Sequence, residues 1–491
     1  MSRNKPQVPM LEKIGYSLGD GSANLVFQMM MMYQLYFYTD VFGIKATSAG
    51  MILLFARVFD AFIDPLAGIL SDRTKTKWGK YRPWVLWTAI PFAVFYVLAF
   101  STPDLGERGK IIYAGVTYTL LMAVYSFNNT PYASLGGVMT SDIKERTQIN
   151  SIRFISATIA TFVVQGLTLP LVAKFGAGDA AHGWTVTIGI FAVAVMVLLV
   201  ITSLTSHERI TPPEDQKTDL RQDFKDVFNC IPWRTMFVVT LFLFITLALW
   251  NSSMNYYFNY FVDKHALYDF VSTLGLTASS GLEPSWGTTL LNAFGLIAKP
   301  DNSNVFAVGF SLFNMVGQLV TLIAVIFLSG WLSGMYGKRN VFIVSILITA
   351  VLTGLFFMVD STQVALIFII NTVRCVIYGI TIPLLWAMMA DVADYSEWMN
   401  HRRATGFVFA GVVFGLKAGL GIGGALCGVF VSSFGFVANV VQTDTAILGI
   451  RLTSSLIPAI TFALCGISLM FYPITKSVNE NIQEELRIRR K

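Results

Sequence analysis

Residues 56–84 read ARVFDAFIDPLAGILSDRTKTKWGKYRPW and join an apolar segment to a strongly basic loop. The apolar part carries three charges, Arg57, Asp60 and Asp64, at offsets of three and seven residues. At about 100° per residue, these offsets place all three on one face of an α-helix. A charge at the centre of a bilayer costs at least ~2.5–3.5 kcal/mol. The sequence therefore predicts a transmembrane helix whose charged face lines the interior of a bundle.

The composition also indicates a membrane protein. Of the 491 residues, 54% are hydrophobic and 13% are charged, whereas soluble proteins carry roughly 25% charged residues. Lipid is therefore expected to cover much of the surface. The net charge of +6 comes from Lys and Arg in short loops, which is typical of membrane topology and not of nucleic-acid binding. Neither the four Cys nor the four His show metal-ligand spacing, so we expect no structural metal and no cofactor.

Twelve segments approach the ~20 residues that a membrane span needs. They are 14–38, 48–71, 84–100, 111–135, 149–171, 184–204, 236–260, 305–328, 341–358, 364–388, 407–430 and 453–472. The predicted fold class is an all-α membrane protein, with twelve transmembrane helices in two six-helix bundles. The predicted domains are a bundle at 1–205, a middle loop at 206–232, a bundle at 233–476 and a tail at 477–491. A long outer loop at 263–304 forms either a short helix or lid, or a variable surface loop.

Basic residues concentrate in the loops that follow the even-numbered spans. These residues are Arg73, Lys75, Lys77, Lys80, Arg82, Lys144, Arg146, Arg209, Lys217, Arg221, Lys225, Lys338, Arg339, Arg402 and Arg403. By the positive-inside rule, both termini are predicted to be cytoplasmic, in the plasma (bacterial inner) membrane.

The two halves also resemble each other. Span two runs into GILSDRTKTKWGKYRPW from Gly68, and span eight runs into SGWLSGMYGKRN from Ser329. Each stretch contains a Gly-Lys pair in a basic turn. Two six-helix repeats related by an axis along the membrane normal are a known transporter architecture, with substrate bound near the midplane. The repeat therefore favours a transporter.

Polar residues in spans one and four extend the candidate site. Asp20 lies about seven residues into span one, between small residues that allow close backbone approach, and serves either a cavity or a helix cap. Ser126, Asn128 and Asn129 precede Pro131, which frees a backbone carbonyl upstream. They serve either a ligand site or polar helix packing.

Three further basic residues lie within predicted spans. Arg153 enters span five, and Lys417 is the only charge of span eleven. The expected partners of Lys417 are the aspartates of the first half. Arg374 in span ten forms either a structural ion pair or a substrate contact.

The three charges of span two, Arg57, Asp60 and Asp64, have two alternative roles. The two carboxylates can chelate a small cation or share a proton, or Arg57 can neutralise one of them in a static ion pair.

Several motifs together resemble one transporter family. They are the 56–84 stretch, NTPYASL from Asn129, ADVADYSEW from Ala390 and the segment around Lys417. They resemble the glycoside–pentoside–hexuronide:cation symporters, the melibiose-permease branch of the major facilitator superfamily. The resemblance covers nearly the whole chain. It implies sugar uptake coupled to a monovalent cation, by a protein that we expect to be a monomer.

The resemblance also implies roles for individual residues. Asp60 and Asp64 match the family's cation-binding carboxylates, and Ser126 matches its helix-four Thr. Asp20 and Arg153 match residues that hold the sugar, and Lys417 matches a helix-eleven Lys.

The chain also departs from the family pattern. Ile63 replaces an Asn of the cation site, so Na⁺ coordination at Asp60 and Asp64 is less expected than H⁺ coupling. Asn129 replaces an Asp, Ala133 a Trp and Gly19 a Lys, so we expect a sugar other than melibiose.

Two rival functions belong to other classes of protein. A lysolipid or other amphiphile transporter could use the same fold, and the aromatic, Met-rich segment from Phe27 leaves room for it. A membrane enzyme is disfavoured, because the sequence has no GxSxG, HExxH or Cys/His pairing and that function does not explain the repeat.

Overall fold

The computed structural model describes residues 8–140, 142–209, 228–278, 286–400 and 405–489. Within these residues the regular structure is helical, with two isolated β-bridges, Thr76–Gly79 and Thr277–Ala298. Helices suit a bilayer because they satisfy their own backbone hydrogen bonds where no water is available. Several basic residues used above for topology, Lys217, Arg221, Lys225, Arg402 and Arg403, lie outside the described residues.

The first six predicted spans correspond to seven helices. They are α1 (Met10–Tyr36), α2 (Ala46–Arg73), α3 (Arg82–Trp87), α4 (Ala89–Ala99), α5 (Glu107–Met139), α6 (Ile143–Gly176) and α7 (Ala180–Thr205). A π-helical turn, Phe37–Val41, extends α1. Span three breaks at Thr88 into α3 and α4, whereas α5 continues through Pro131 as one helix.

The described residues of the rest of the chain form eleven helices. They are α8 (Ile231–Tyr256), α9 (Lys264–Thr273), α10 (Trp286–Ala293), α11 (Val305–Ile323), α12 (Gly330–Tyr336), α13 (Lys338–Leu355), α14 (Val364–Asn400), α15 (Thr405–Ser433), α16 (Asp444–Ser454), α17 (Leu456–Met470) and α18 (Lys476–Arg489). π-helical turns follow α8 and α11, at Tyr257–Phe261 and Ala324–Ser329. Two span boundaries differ most from the prediction. Span ten extends to Asn400, because ADVADYSEW continues the helix, and span twelve begins at Asp444, capped by Thr443.

Ten helices among the described residues are long and apolar enough to cross a membrane. The two remaining predicted spans are α1 and α2, and they contain the intramembrane charges Asp20, Arg57, Asp60 and Asp64. Large apolar side chains such as Phe55, Phe62 and Phe327 lie exposed on helix surfaces. This exposure fits helices that face lipid.

The described residues divide into two compact units, one within Met1–Asp215 and Leu274–Ser311, the other within Gln216–Thr273 and Leu312–Lys491. In the first unit, α1 packs on α6 and α7, α2 on α5, and α4 on α5 and α7. In the second, α8 packs on α15 and α17, the turn after α11 on α14, and α13 on α14 and α17. Spans seven to twelve thus repeat the packing scheme of spans one to six, as the sequence repeat predicted.

The Gly-Lys turns of the repeat also have the same local structure. Gly79 and Gly337 both have positive φ, 112° and 82°, which favours glycine. A Cβ on Gly79 would lie 2.4 Å from Glu208, and one on Gly337 would lie 3.0 Å from Lys476. In each unit, the chain after the last span therefore folds back under this turn.

The long outer segment contains two short helices, α9 and α10. The described residues between Leu274 and Ser311 group with the first unit. The predicted domain bounds, which place the loop at 263–304 with the second bundle, stay a prediction. Lys174 Nζ donates hydrogen bonds to the carbonyls of Asn292 and Ala293, both 2.8 Å. These bonds satisfy carbonyls at the end of α10, which have no partner within the helix.

Candidate functional site

The charged face of α2 is turned inward, as its spacing predicted. Asp60 is 0% exposed, Arg57 is buried and Asp64 is half-buried. Ser126 Oγ, on α5, donates a hydrogen bond to Asp60 Oδ1. The guanidinium of Arg57 lies over the ring of Phe27, 5.8 Å from its centroid. Two carboxylates and a hydroxyl are oxygen groups that can hold a proton or a small cation.

A second charged group lies between α1 and α6. Arg153 Nη2 is 3.4 Å from Asp20 Oδ1, and both side chains keep some exposure, 26% and 20%. Arg153 also contacts Asn150 Oδ1 at 3.5 Å, while its buried Nε has no hydrogen-bond partner among the described residues. The pair is therefore long and incompletely satisfied, and both groups retain hydrogen-bonding capacity.

Two stacked tyrosines support Arg153. Tyr16 and Tyr132 have ring centroids 4.6 Å apart and planes 17° apart. Each hydroxyl donates to the other residue's backbone carbonyl, at 3.1 and 3.0 Å. The Arg153 guanidinium lies 5.7 Å from the Tyr16 ring and 5.3 Å from the Tyr132 ring. Stacking and cation–π attraction thus fix the position of this arginine.

The glycines beside Asp20 permit this arrangement. A Cβ on Gly19 would lie 2.5 Å from the Tyr132 ring, and one on Gly21 would lie 2.5 Å from Ser156 Oγ. The sequence analysis predicted close backbone approach here, and the structure confirms it. Larger residues at these positions would push α1 away from α5 and α6.

Tyr125 is a residue that the sequence did not indicate. Its ring packs against the ring of Phe27, with centroids 6.4 Å apart, and Phe27 also lies under the guanidinium of Arg57. Tyr125 therefore belongs to the aromatic surroundings of the charged face of α2. The available signal was its position immediately before Ser126, on the face of span four that carries the polar residues.

The two asparagines of span four differ in their surroundings. Asn128 is buried, and its amide donates to Thr88 Oγ1 at 2.7 Å. It therefore holds α5 to the break between α3 and α4, which is polar helix packing. Asn129 is half-buried and makes no side-chain hydrogen bond within the part of the chain that the structure describes. Of the two, only Asn129 retains an amide that a ligand could use.

In the second unit, Lys417 lies half-buried on α15. Glycines at 411, 415, 419 and 423 bring this helix against α8, where a Cβ on Gly419 would meet the carbonyl of Leu241 at 2.7 Å. Lys417 lies two residues from Gly415 and from Gly419, which at 100° per residue points it away from α8. Its predicted pairing with the aspartates of the first half stays a prediction.

Arg374 is also in the second unit, buried on α14. Its guanidinium carbon is 3.9 Å from the centroid of the Trp250 ring on α8. Nη2 donates to Asn371 Oδ1 at 3.1 Å. A structural ion pair was one of the two predicted roles. No carboxylate lies within 4 Å of the Arg374 guanidinium among this unit's described residues.

No group of three or more His, Cys, Asp or Glu side chains suited to a metal ion occurs in the described residues. The oxygen groups of Asp60, Asp64 and Ser126 stay the candidate cation ligands.

Known proteins resemble this chain over nearly its whole length. The glycoside/cation symporter YagG of Escherichia coli (strain K12), described as putative, is 33% identical over 98% of this chain and 95% of that protein. The isoprimeverose transporter of Lactiplantibacillus pentosus is 33% identical over 96% of this chain and 90% of that protein. The crystal structure of the nucleoside transporter NupG shares the fold, with a TM-score of 0.62 at 14% identity, covering 95% of this chain and 100% of that one.

A family model gives the same assignment. The model described as MFS/sugar transport protein matches residues 15–291 and 303–476, which include both six-span halves and the charged face of α2. The helix packing repeat and the twelve spans are those expected of this fold. The chain therefore belongs to the MFS/sugar transport protein family.

Proposed function

We propose that this protein is a cation-coupled symporter that imports a glycoside, pentoside or hexuronide by alternating access. The observation that carries the proposal is the arrangement in the first unit. Two groups of intramembrane polar residues, Asp60 with Ser126 and Asp20 with Arg153, lie in the same unit. The names of the relatives, a glycoside/cation symporter and an isoprimeverose transporter, support a sugar substrate over the lysolipid alternative.

The cation step would use Asp60 and Asp64. Two carboxylates four residues apart on one helix face repel each other when both are charged, so binding one cation relieves that repulsion. We infer that the coupling ion is a proton. Ile63 provides no amide oxygen beside the carboxylates, and Ser126 already donates its hydroxyl to Asp60. A protonated carboxyl needs no further oxygen ligands.

The sugar step would use Asp20, Arg153 and Asn129. A carboxylate and a guanidinium with free hydrogen-bonding capacity can grip sugar hydroxyls through charge-assisted bonds. The Tyr16–Tyr132 stack holds the guanidinium in place, so little side-chain entropy is lost on binding. This arrangement supports a polyhydroxyl substrate.

Coupling would follow from charge. Without a cation, the first unit carries three intramembrane carboxylates, Asp20, Asp60 and Asp64, against two arginines. A bound cation removes the excess negative charge, and only the empty or the fully loaded carrier would then change conformation readily. We further propose that both termini are cytoplasmic and that one chain suffices for transport.

Uptake in proteoliposomes tests the proposal. Labelled glycosides, and a lysolipid as the alternative, are offered with an inward H⁺ gradient or an inward Na⁺ gradient imposed separately. We expect a sugar to accumulate with the H⁺ gradient, and Asp60→Asn or Asp64→Asn to abolish accumulation. Asp179→Asn is the control, because Asp179 caps α7 and Asn caps helices equally well.

The outcomes separate the parts of the proposal. Accumulation with Na⁺ alone would overturn the choice of ion but not symport. Full gradient-driven accumulation by Asp64→Asn would overturn the assignment of the coupling site. Transport of the lysolipid without any sugar would overturn the function itself.

A further inference from the structure

Arg374 lies deep in the second unit. It is ten residues from the first residue of α14, Val364. At 1.5 Å per residue this is about 15 Å along the helix, or half the ~30 Å thickness of a hydrocarbon core. Its side chain is 6% exposed. A charge at this depth is expensive, and such residues commonly mark a substrate or ion pathway.

The neighbours of Arg374 compensate only part of its charge. The Trp250 ring covers one face of the guanidinium at 3.9 Å, and Nη2 donates to Asn371 Oδ1 at 3.1 Å. The amide of Asn371 is itself held, because its Nδ2 donates to the carbonyl of Phe313 at 3.2 Å. Nε is buried without a hydrogen-bond partner in the described residues. The ring and the amide thus hold the guanidinium rigidly and leave a donor unused.

The kind of ligand follows from the geometry of the group. A guanidinium presents its donors in a planar fork that matches a carboxylate, and the match is tighter than to a neutral hydroxyl. A guanidinium that is already held rigidly and partly desolvated loses little entropy when it binds a ligand. The guanidinium of Arg374 therefore favours a carboxylate over a neutral hydroxyl.

We propose that Arg374, positioned by Trp250 and Asn371, forms a subsite for a carboxylate of the transported sugar, and so selects a hexuronide over neutral sugars. The inference rests on the proposed sugar transport and narrows its substrate class.

Equilibrium binding to the purified full-length protein tests the subsite without requiring coupling. The probes are 4-nitrophenyl β-D-glucuronide, glucoside and xyloside, which differ only in a carboxylate, a hydroxymethyl group or hydrogen at one carbon. The variants are Arg374→Gln, Arg374→Lys and Trp250→Phe. Arg451→Gln is the matched control, because Arg451 also lies over aromatic rings, Phe261 and Phe357 at 4.8 Å, but in the short helix α16.

We expect the wild-type protein to bind the glucuronide at least ~10-fold more tightly than the other two probes. Arg374→Gln should remove this preference and change glucoside affinity by less than about threefold, and Arg374→Lys should restore only part of it. Arg451→Gln should keep the preference. If Arg374→Gln fails to fold, two measurements still test the subsite. One is the preference of the wild-type protein for the glucuronide, and the other is the change of that preference in Arg374→Lys and Trp250→Phe.

Two results would overturn the subsite. One is a wild-type protein that binds glucoside or xyloside as tightly as glucuronide; sugar transport would then stand without the subsite. The other is an equal loss of all three ligands in Arg374→Gln, which would indicate a structural role. A wild-type protein that binds none of the probes and accumulates no sugar would overturn the proposed function together with the subsite.

Discussion

Ser126 donates its hydroxyl hydrogen to Asp60, and this bond connects α5 to the charged face of α2. Asp60 is fully buried, so the hydroxyl replaces hydration that the carboxylate lost on folding. A buried acceptor without its donor costs about 1–3 kcal/mol. The bond therefore holds the Asp60 carboxylate against α5 and occupies one of its oxygens, so it should influence how readily a cation binds.

Ser126→Ala should consequently change the cation dependence of transport. Without the donor, the buried carboxylate loses a hydrogen bond worth about 1–3 kcal/mol, so the concentration of coupling cation that gives half-maximal uptake should change by about tenfold. Sugar affinity at saturating cation should stay unchanged. Uptake measured against the concentration of the coupling cation checks this change.

Ser134→Ala is the control for this prediction. Ser134 is on the same helix, and its hydroxyl bonds only to the carbonyl of Thr130 at 3.1 Å. Ser126→Thr should behave like the wild-type protein because it keeps the hydroxyl. An unchanged cation dependence in Ser126→Ala would show that the bond has no part in coupling.

Gly19→Ala should weaken sugar binding without a direct contact to the sugar. The added methyl would lie 2.5 Å from the Tyr132 ring, so the ring must shift and the guanidinium of Arg153 loses its support. We expect sugar affinity to fall about tenfold, while the cation dependence stays unchanged. Equilibrium binding of the preferred sugar measures the effect.

Gly115→Ala provides the matched control, because a Cβ on Gly115 meets nothing within 4 Å. Alanine should even favour the helix there, by up to about 1 kcal/mol. If both variants bind sugar equally well, the tyrosine stack does not position Arg153 for binding.

The sequence predicted the architecture well because membrane spans have a strong signal. Length, hydropathy and the repeat fixed the number and order of the spans, and the offsets of Arg57, Asp60 and Asp64 gave the buried face of α2. The glycines beside Asp20 indicated close helix packing, although the sequence does not show which helices pack there. Each of these inferences depends on a pattern within one stretch of sequence, so it does not require knowledge of which distant residues are in contact.

Other features depend on distant residues and could not be predicted. The hydrogen bond of Asn128 to Thr88, the Tyr16–Tyr132 stack and the contact of Arg374 with Trp250 each join different spans. The end of span ten also differed from the prediction. The stretch ADVADYSEW contains no residue that stops a helix, and α14 continues through it. The grouping of Leu274–Ser311 with the first unit likewise depends on contacts such as those of Lys174.

The charge on the substrate predicts how uptake responds to membrane potential. If one cation enters with one uronate, the loaded carrier moves no net charge, whereas a neutral glycoside moves one. A potential of 100 mV is worth about 2.3 kcal/mol per charge, or roughly 50-fold in accumulation. In vesicles with a K⁺ diffusion potential, we expect glucoside accumulation to follow the potential and glucuronide accumulation to ignore it. Equal responses would contradict this charge balance.

Glu12 should make stability depend on pH. It precedes the first predicted span and accepts two hydrogen bonds from Arg209, at 2.6 and 2.7 Å. Burial raises the pKa of Glu12, but the bonds and charge of Arg209, with smaller help from His207, outweigh burial and hold it below its ordinary 4.5. This contribution is therefore fully present above about pH 4.5, and it is lost as the pH falls through the folded-state pKa.

Thermal unfolding checks this linkage. Glu12→Gln should lower stability by about 2 kcal/mol at pH 7, and the difference from wild type should vanish in acid. Glu107→Gln is the control, because its pair with Lys45 is largely exposed and such pairs contribute little. A difference between Glu12→Gln and wild type that persists below pH 3 would contradict the assignment.

The glycine stripe of α15 should set the packing of the second unit. A Cβ on Gly423 would lie 2.4 Å from the carbonyl of Ile245 on α8. Backbone cannot move aside as a flexible side chain can, so Gly423→Ala must separate the two helices, at a cost of roughly 1–3 kcal/mol. We expect a lower unfolding temperature and reduced expression. Gly330→Ala is the matched control, since its Cβ would meet nothing within 4 Å. Equal stability of the two variants would mean that α15 can shift without loss, and Lys417 would then lack a fixed position on this helix.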